Sequence, residues 1–351
     1  MRLLRRPERL SWVGLTLWAL RVGVIVFVVV GSALTLAQGA FRPSDWRDLI
    51  IFGIAGGSVY ALIALGYTLV YGILFMINFA HGEVFMSGAF TAWFVAIALA
   101  DLGILEANPF IGVAILLGTA MIASMTVAVL LERIAYRPLR GAPRLVPLIT
   151  AIGASLFLQY TARGMYGAGP RAYPWGSIAE LQGRVEILGV PILRTQIIVI
   201  VAAFALMAAL WYLVEKTRTG RAMRAVSEDR EVAAMMGINV DAVIMRTFAI
   251  GGLLAGAAAI LFTFIFNQVQ WSMGFLPGIK AFTAAVLGGI GNIVGAMLGG
   301  ITLGVLESVG PQLFLTGYGV PATNQLRDVI AFVMLVLVLI FRPYGLLGKK
   351  D

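Results

Sequence analysis

The stretch YGILFMINFAHGEVFMSGAF, residues 71–90, holds the chain's only histidine, His81, beside Gly82 and Glu83, with Asn78 three residues upstream. Both flanks are apolar, so ionisable groups there cost free energy unless they are paired, hydrated or functional. On an unbroken helix Asn78 and His81 share a face while Glu83 lies on another, and Gly82 weakens the helix between them. Three readings stay open. Asn78, His81 and Glu83 line a substrate path or gate, or they form a network that locks a helix break, or they sit in a wet turn between two spans.

A second group lies in TRTGRAMRAVSEDREVAAMMGINVD, residues 217–241. Ser227 can cap a helix whose first turn holds Glu228 and Asp229, and Gly237 suits its left-handed stop. This predicts a helix of about ten residues, too short to be stable alone in water. Val232, Met235 and Met236 fall along one side of it. Such a stripe fits the groove of a partner protein, or else lies on the membrane or on the chain's own bundle.

Several chemistries are unsupported. No G-x-x-x-x-G-K-[ST] loop is present to cradle a nucleotide phosphate. GGIGNIVG with Glu307 downstream has the wrong glycine spacing for a dinucleotide site and no βαβ context. One histidine and no cysteine make a typical zinc site unexpected, and no serine sits in G-x-S-x-G. Neither a metal nor a cofactor of its own is expected.

The elements that position these groups follow from composition. Of 351 residues, 60% are hydrophobic and 12% charged, against roughly 45–50% and 25% in soluble domains. Apolar runs reach the ~20 residues that cross a bilayer as a helix, and they do not alternate as barrel strands would. The expectation is an all-α, polytopic integral membrane protein of about eight to ten transmembrane segments with broken helices. The spans fall near 12–37, 49–76, 84–100, 111–131, 146–161, 195–214, 245–266 and 326–341. The first run is long for a signal peptide and reads as a retained helix, with Arg21 snorkelling or facing a partner. Residues 1–45 read as an extension, and 46–351 as the main transmembrane domain.

The net charge of +9 belongs to short loops, which argues for topology over nucleic-acid binding. The N-terminus, the loops at 132–144 and 215–246, and the tail carry 17 of the 26 basic residues, all on one side if the helices alternate. That side is cytoplasmic by the positive-inside rule, which puts both termini inside. An inside C-terminus needs a short inward segment near 277–289 and a return near 293–309, hinged at GGIGN. Four G-x-x-x-G pairs, Gly53/Gly57, Gly252/Gly256, Gly295/Gly299 and Gly300/Gly304, have the spacing for close helix packing.

The segments GSVYALIALGYTLVYGILFMINFAHGEVFMSGAF (57–90), ERIAYRPLRGAPRLVPLITAIGASLFLQ (132–159), RAVSEDREVAAMMGINVD (224–241), AVLGGIGNIVGAMLGG (285–300) and FRPYGLLG (341–348) closely resemble the permease subunits of bacterial branched-chain amino-acid ABC importers, the LivH-like group. The resemblance runs over nearly the whole chain from about residue 49. It implies a second, related permease subunit as heterodimer partner, two cytoplasmic ATPase subunits that bind the ATP, and an extracytoplasmic solute-binding protein. It also implies the plasma (inner) membrane and an amino-acid cargo, leucine, isoleucine and valine being usual and amides or urea known in related systems. Residues 215–245 correspond to the coupling loop, with Glu231, Ala233, Ala234 and Gly237 matching its E-x-A-A-x-x-G core. Val232 replaces the usual Ala, and the downstream I-x-L-P element is absent. Beside this non-enzymatic permease stands a rival, a solitary secondary transporter or channel using Glu83 and His81, or Glu307 or Asp101, as an ion or proton relay.

Overall fold

The computed structural model describes residues 12–348 except 144, 179, 180, 182, 188 and 343. The basic residues Arg2, Arg5, Arg6, Arg9, Arg144, Lys349 and Lys350 lie outside the described residues. Within them, nine helices are long and apolar enough to span a membrane, with one shorter apolar helix between. They are α1 (Trp12–Gln38), α2 (Pro43–Leu74), α3 (His81–Asp101), α4 (Pro109–Leu131), α5 (Leu145–Tyr166) and α6 (Arg194–Lys216). Two short helices follow, α7 (Arg218–Glu228) and α8 (Arg230–Met235), then α9 (Val240–Phe266), the short α10 (Phe275–Gly288), α11 (Ile293–Leu315) and α12 (Arg327–Phe341). Every span expected from hydropathy is present. The stretch 266–326 divides at GGIGN as expected, into α10 and α11, with Gly289 and Gly291 in left-handed conformations at the turn.

Helix starts are capped by local chemistry. The Arg42 N–H donates to Asp45 Oδ2 over 2.8 Å, just ahead of Pro43 in the first turn of α2. Asn239 and Asn292 cap α9 and α11 by accepting from the Ala242 and Gly295 N–H groups, each at 3.0 Å.

α2 and α9 form the buried centre, and α1, α4, α5 and α12 line the periphery. The most extensive contact is α2 against α11, followed by α4 against α9. Both are made by the glycine pairs. A Cβ on Gly300 would lie 2.5 Å from Ala61 Cα, one on Gly53 2.8 Å from Val305 Cα, and one on Gly304 would overlap Gly57. Gly252 and Gly256 meet α4 at Ser124 and Ala120, while Gly295 and Gly299 meet α10 at Gly288 and Ala284. Lipid offers no hydrophobic drive for helix association, so backbone approach of this kind supplies the contact energy.

The two ends of the bundle are each stitched together. At one, the basic end, the Tyr136 hydroxyl donates to Asn78, and Arg137 Nη2 lies 3.0 Å from Asp241 Oδ2. The tail closes on the α10–α11 turn there through Leu346 N–H to Leu287 O, 2.8 Å, and Asn292 Nδ2 to Leu347 O, 2.9 Å. At the opposite end, strand β1 (Arg171–Ala172) pairs with β4 (Gln268–Val269), and β2 (Arg184–Ile187) forms a hairpin with β3 (Val190–Leu193). The half-buried Arg21 places its guanidinium 4.5 Å from the Phe341 ring centroid, a cation–π contact inside the chain.

The packing predicts that Gly304→Val costs about 1–3 kcal/mol or more, because the atoms it meets are backbone and cannot step aside. Thermal unfolding of the purified protein in detergent should show a lowered midpoint. Gly118→Ala, with nothing within 4 Å of the new Cβ, should leave the midpoint unchanged, and equal midpoints for both variants would refute the close approach.

Candidate functional site

The helix through residues 71–90 is broken. Phe75 adopts φ 53°, its N–H donating to Tyr71 O at 2.8 Å, and this ends α2. The chain folds back into the bundle before α3 begins at His81. Asn78 therefore lies in the break and shares no helix face with His81. Asn78, His81 and Glu83 are all buried, at 2%, 2% and 1% exposure, so the wet turn is overturned for this chain.

The three residues do different things. Asn78 Oδ1 accepts from the Tyr136 hydroxyl over 2.6 Å, and Tyr136 packs on Phe248 of α9. His81 fills the space left by Gly66 of α2, where a Cβ would lie 2.5 Å from its Cε1, and meets Tyr67 edge-on at 5.0 Å. These two wedge the break. Glu83 is placed otherwise. α3 and α10 start against each other inside the bundle, Gly82 touching the Gly274 carbonyl and Gly278, and Glu83 Oε2 is 2.7 Å from where a Gly274 Cβ would be. Among the described residues neither Glu83 oxygen has a hydrogen-bond partner of good geometry; the Ser155 and Tyr67 hydroxyls are in its neighbourhood. A cavity of about 250 Å³ adjoins this point, between α5 and α10, lined by Tyr67, Ile152, Ser155, Leu156, Gly278 and Ile279 among others.

A second buried polar centre was not foreseen. Lys280 Nζ of α10 lies 2.5 Å from Glu307 Oε1 of α11 and 2.6 Å from Asp328 Oδ1 of α12, with the Tyr60 hydroxyl of α2 at 3.4 Å. The sequence carried a signal for it: Lys280 and Glu307 are the only charged residues between 274 and 310, and opposite charges in hydrocarbon pair. Removing one partner of such a pair costs about 3–5 kcal/mol. Asp101 stands apart, exposed at the end of α3.

At the basic end the short helix differs from expectation. Ser227 does not cap it; its hydroxyl donates back to Arg224 O at 2.7 Å, inside α7. Asp229 is the cap, accepting from the Glu231 and Val232 N–H groups at 2.8 and 3.0 Å. The helix is therefore the six-residue α8, not one of ten. Gly237, at φ 82°, does provide the left-handed stop, with Ile238 N–H donating to Ala233 O at 3.1 Å. Ala233 is buried while Met235 and Met236 are each 78% exposed and Val232 48%.

The start of α8 is tied to the break. Arg230 Nη2 donates to Ile73 O, in the last turn of α2, over 2.5 Å. Burial, and then the like charge of Arg140, pull the Arg230 pKa below its ordinary value; holding that charge there costs free energy, and the C-terminal end of α2 offsets part of it. Arg140 in turn pairs with the buried Glu132 and with Asp241. Among the described residues no group of three or more His, Cys, Asp or Glu is placed to hold a metal.

Residues 49–339 match a family described as the permease component of branched-chain amino acid transport systems; α1 lies before the matched range. The chain is 44% identical to the high-affinity branched-chain amino acid transport system permease protein BraD of Pseudomonas aeruginosa, over 86% of this chain and 95% of that protein. It is 41% identical to the corresponding permease protein LivH of Escherichia coli K12, over 85% and 94%. With a broken helix buried in a bundle of membrane-spanning length, and this likeness over most of its length, the chain belongs to the family of branched-chain amino acid transport system permeases.

Proposed function

We propose that the chain is one permease half of an ATP-driven importer for branched-chain or related amino acids in the bacterial inner membrane. The single observation that carries the coupling is α8, a capped and stopped helix that presents exposed Val232, Met235 and Met236 at the basic end. Its amphipathic surface suits a groove on a separate ATPase subunit. ATP is bound there, and the permease needs no cofactor of its own. A second permease subunit completes the path, and a solute-binding protein delivers cargo to the opposite end. The excess of basic residues around 132–144, 215–246 and the tail supports a cytoplasmic basic end and cytoplasmic termini.

The physical task is to move a zwitterion. Burying its two charges in hydrocarbon costs several kcal/mol each even after relaxation. A broken helix lowers that barrier by offering backbone dipoles and a carboxylate inside the bundle. Binding in the path stays weak enough for release. Closure of the ATPases displaces α8. Arg230 passes the displacement to the Ile73 carbonyl and thus to the 75–80 break, where Asn78, His81 and Glu83 begin. The path is a two-state element biased by a ligand bound elsewhere.

The test is uptake by the reconstituted complex of both permeases, ATPases and binding protein. Glu231→Lys and Gly237→Asp should abolish most leucine uptake while the bundle stays folded; a side chain at Gly237's left-handed φ costs about 1–2 kcal/mol. Wild-type uptake by both variants would remove the docking role. Uptake that persists without ATP and follows an ion gradient would return the chain to a solitary transporter.

Arg230→Ala separates docking from transmission. A hydrogen bond from a charged group contributes about 1.5–3 kcal/mol, so leucine moved per ATP hydrolysed should fall about tenfold. Assembly and ATP hydrolysis should persist, and an unchanged ratio would show that Arg230 transmits nothing.

A further inference from the structure

The end of the bundle opposite the basic loops is hollowed by three adjoining cavities. The outermost, of about 620 Å³, lies between the start of α2, the β2–β3 hairpin and the start of α12. It shares Phe52, Asn324 and Arg327 with a second, of about 280 Å³. The second shares Tyr60, Lys280 and Asp328 with a third, of about 190 Å³, which reaches the loop between α9 and α10. Glu307, in the second wall, stands about 12 Å along α11 from its end at Leu315. The hollow therefore reaches membrane depth.

The charged residues in each wall cancel. Asp45 and Asp48 stand against Arg184 and Arg327 in the first cavity, Glu307 and Asp328 against Lys280 and Arg327 in the second, and Asp328 against Lys280 in the third. Other cavities in the chain differ. The groove between α5 and α10 has no charged residue in its lining, and the cavity at the basic end is lined by Arg140 and Arg230 and no carboxylate. Nor is the balance all contact pairing. Arg327 makes no ion pair among the described residues; it donates to Asn324 Oδ1 over 3.1 Å, with its guanidinium 5.0 Å from the Phe52 ring centroid. Glu307 Oε2 is buried without a hydrogen-bond partner among the described residues, and the Asp328 side chain is 45% exposed. Ionisable groups at membrane depth face protein or water, because lipid penalises them. Joined cavities of this size, with Gln312, Asn324 and Gln325 in their walls, favour water.

We propose that this hollow is a water-filled vestibule whose balanced walls sort solutes by net charge and pass those with none. A solute of one sign entering a low-dielectric recess of zero net charge loses hydration and gains no counter-charge. A dipolar solute finds both signs within the wall. Arg327 belongs to the first and second walls and Asp328 to the second and third, so these neighbours set the balance along the whole depth. The vestibule stands on the geometry of this chain. Its extracytoplasmic position and its use by cargo rest on the importer reading.

The chain has no cysteine, and Gly56, in the second wall, has nothing within 4 Å of an added Cβ. In the full complex in lipid vesicles, Gly56→Cys should react with two membrane-impermeant methanethiosulfonates supplied on the side opposite the basic loops. One is the cationic trimethylammonioethyl reagent and the other the anionic sulfonatoethyl reagent. Their rate ratio, divided by the ratio for a free thiol in water, should lie near one. Arg327→Gln should raise the cationic-to-anionic ratio about tenfold and Asp328→Asn should lower it about tenfold, as one unit charge at about 10 Å and an effective dielectric constant of about 20 implies. Both variants keep the Lys280–Glu307 pair, and Arg327→Gln, which breaks no ion pair, carries the test if Asp328→Asn does not fold. Labelling by neither reagent would show the face covered by lipid or by another subunit and overturn the vestibule. Labelling with a ratio that Arg327→Gln leaves unmoved would overturn the sorting by charge. Neither result bears on ATP-driven uptake, and a complex without such uptake would overturn the importer reading while the labelling ratios still report on the vestibule.

Discussion

A helix that starts inside a membrane protein leaves N–H groups that lipid cannot satisfy, and this bundle contains two such starts. The rest of the architecture serves that constraint. α3 and α10 can begin in the interior only because Gly82, Gly274 and Gly278 let their first turns touch, and because the Tyr67 hydroxyl lies beside the Gly82 N–H. Irregular backbone at membrane depth survives where protein surrounds it. Here α2, α9 and α5 provide that surround.

The same constraint explains the uneven use of polar residues. Tyr136 and Asn78 satisfy each other, and the Lys280, Glu307 and Asp328 charges hold three helices at one point. Each joins elements distant in sequence and absorbs a cost that packing alone would leave standing. Glu83 makes no ion pair among the described residues and has the Ser155 hydroxyl beside it.

Much of this was legible in the sequence, and the physical reasons are uneven. Spans are read from hydropathy because length and apolarity decide insertion, and the G-x-x-x-G pairs marked true helix contacts. The position of the break within 71–90 was not legible, since it depends on Phe75 adopting a left-handed conformation and on Gly66 making room for His81. At 227–229 two residues competed for one cap. Asp229 serves both the Glu231 and Val232 N–H groups, whereas Ser227 belongs to the amphipathic α7, whose Met223 and Val226 are buried; that helix was overlooked. The pairing of Lys280 with Glu307 spans 27 residues, and only the fold could bring them together.

The fastening of α10, α11 and α12 carries a mechanical consequence. Lys280 ties the middle of α10 to α11 and to the start of α12, and the tail, hydrogen-bonded to Leu287 and through Asn292, clamps the turn between α10 and α11. Tied at Lys280 and again at the α10–α11 turn, the second half of α10 is held to α11 and α12, which opposes bending of α10 on its own where its start meets α3 at Gly82 and Gly274.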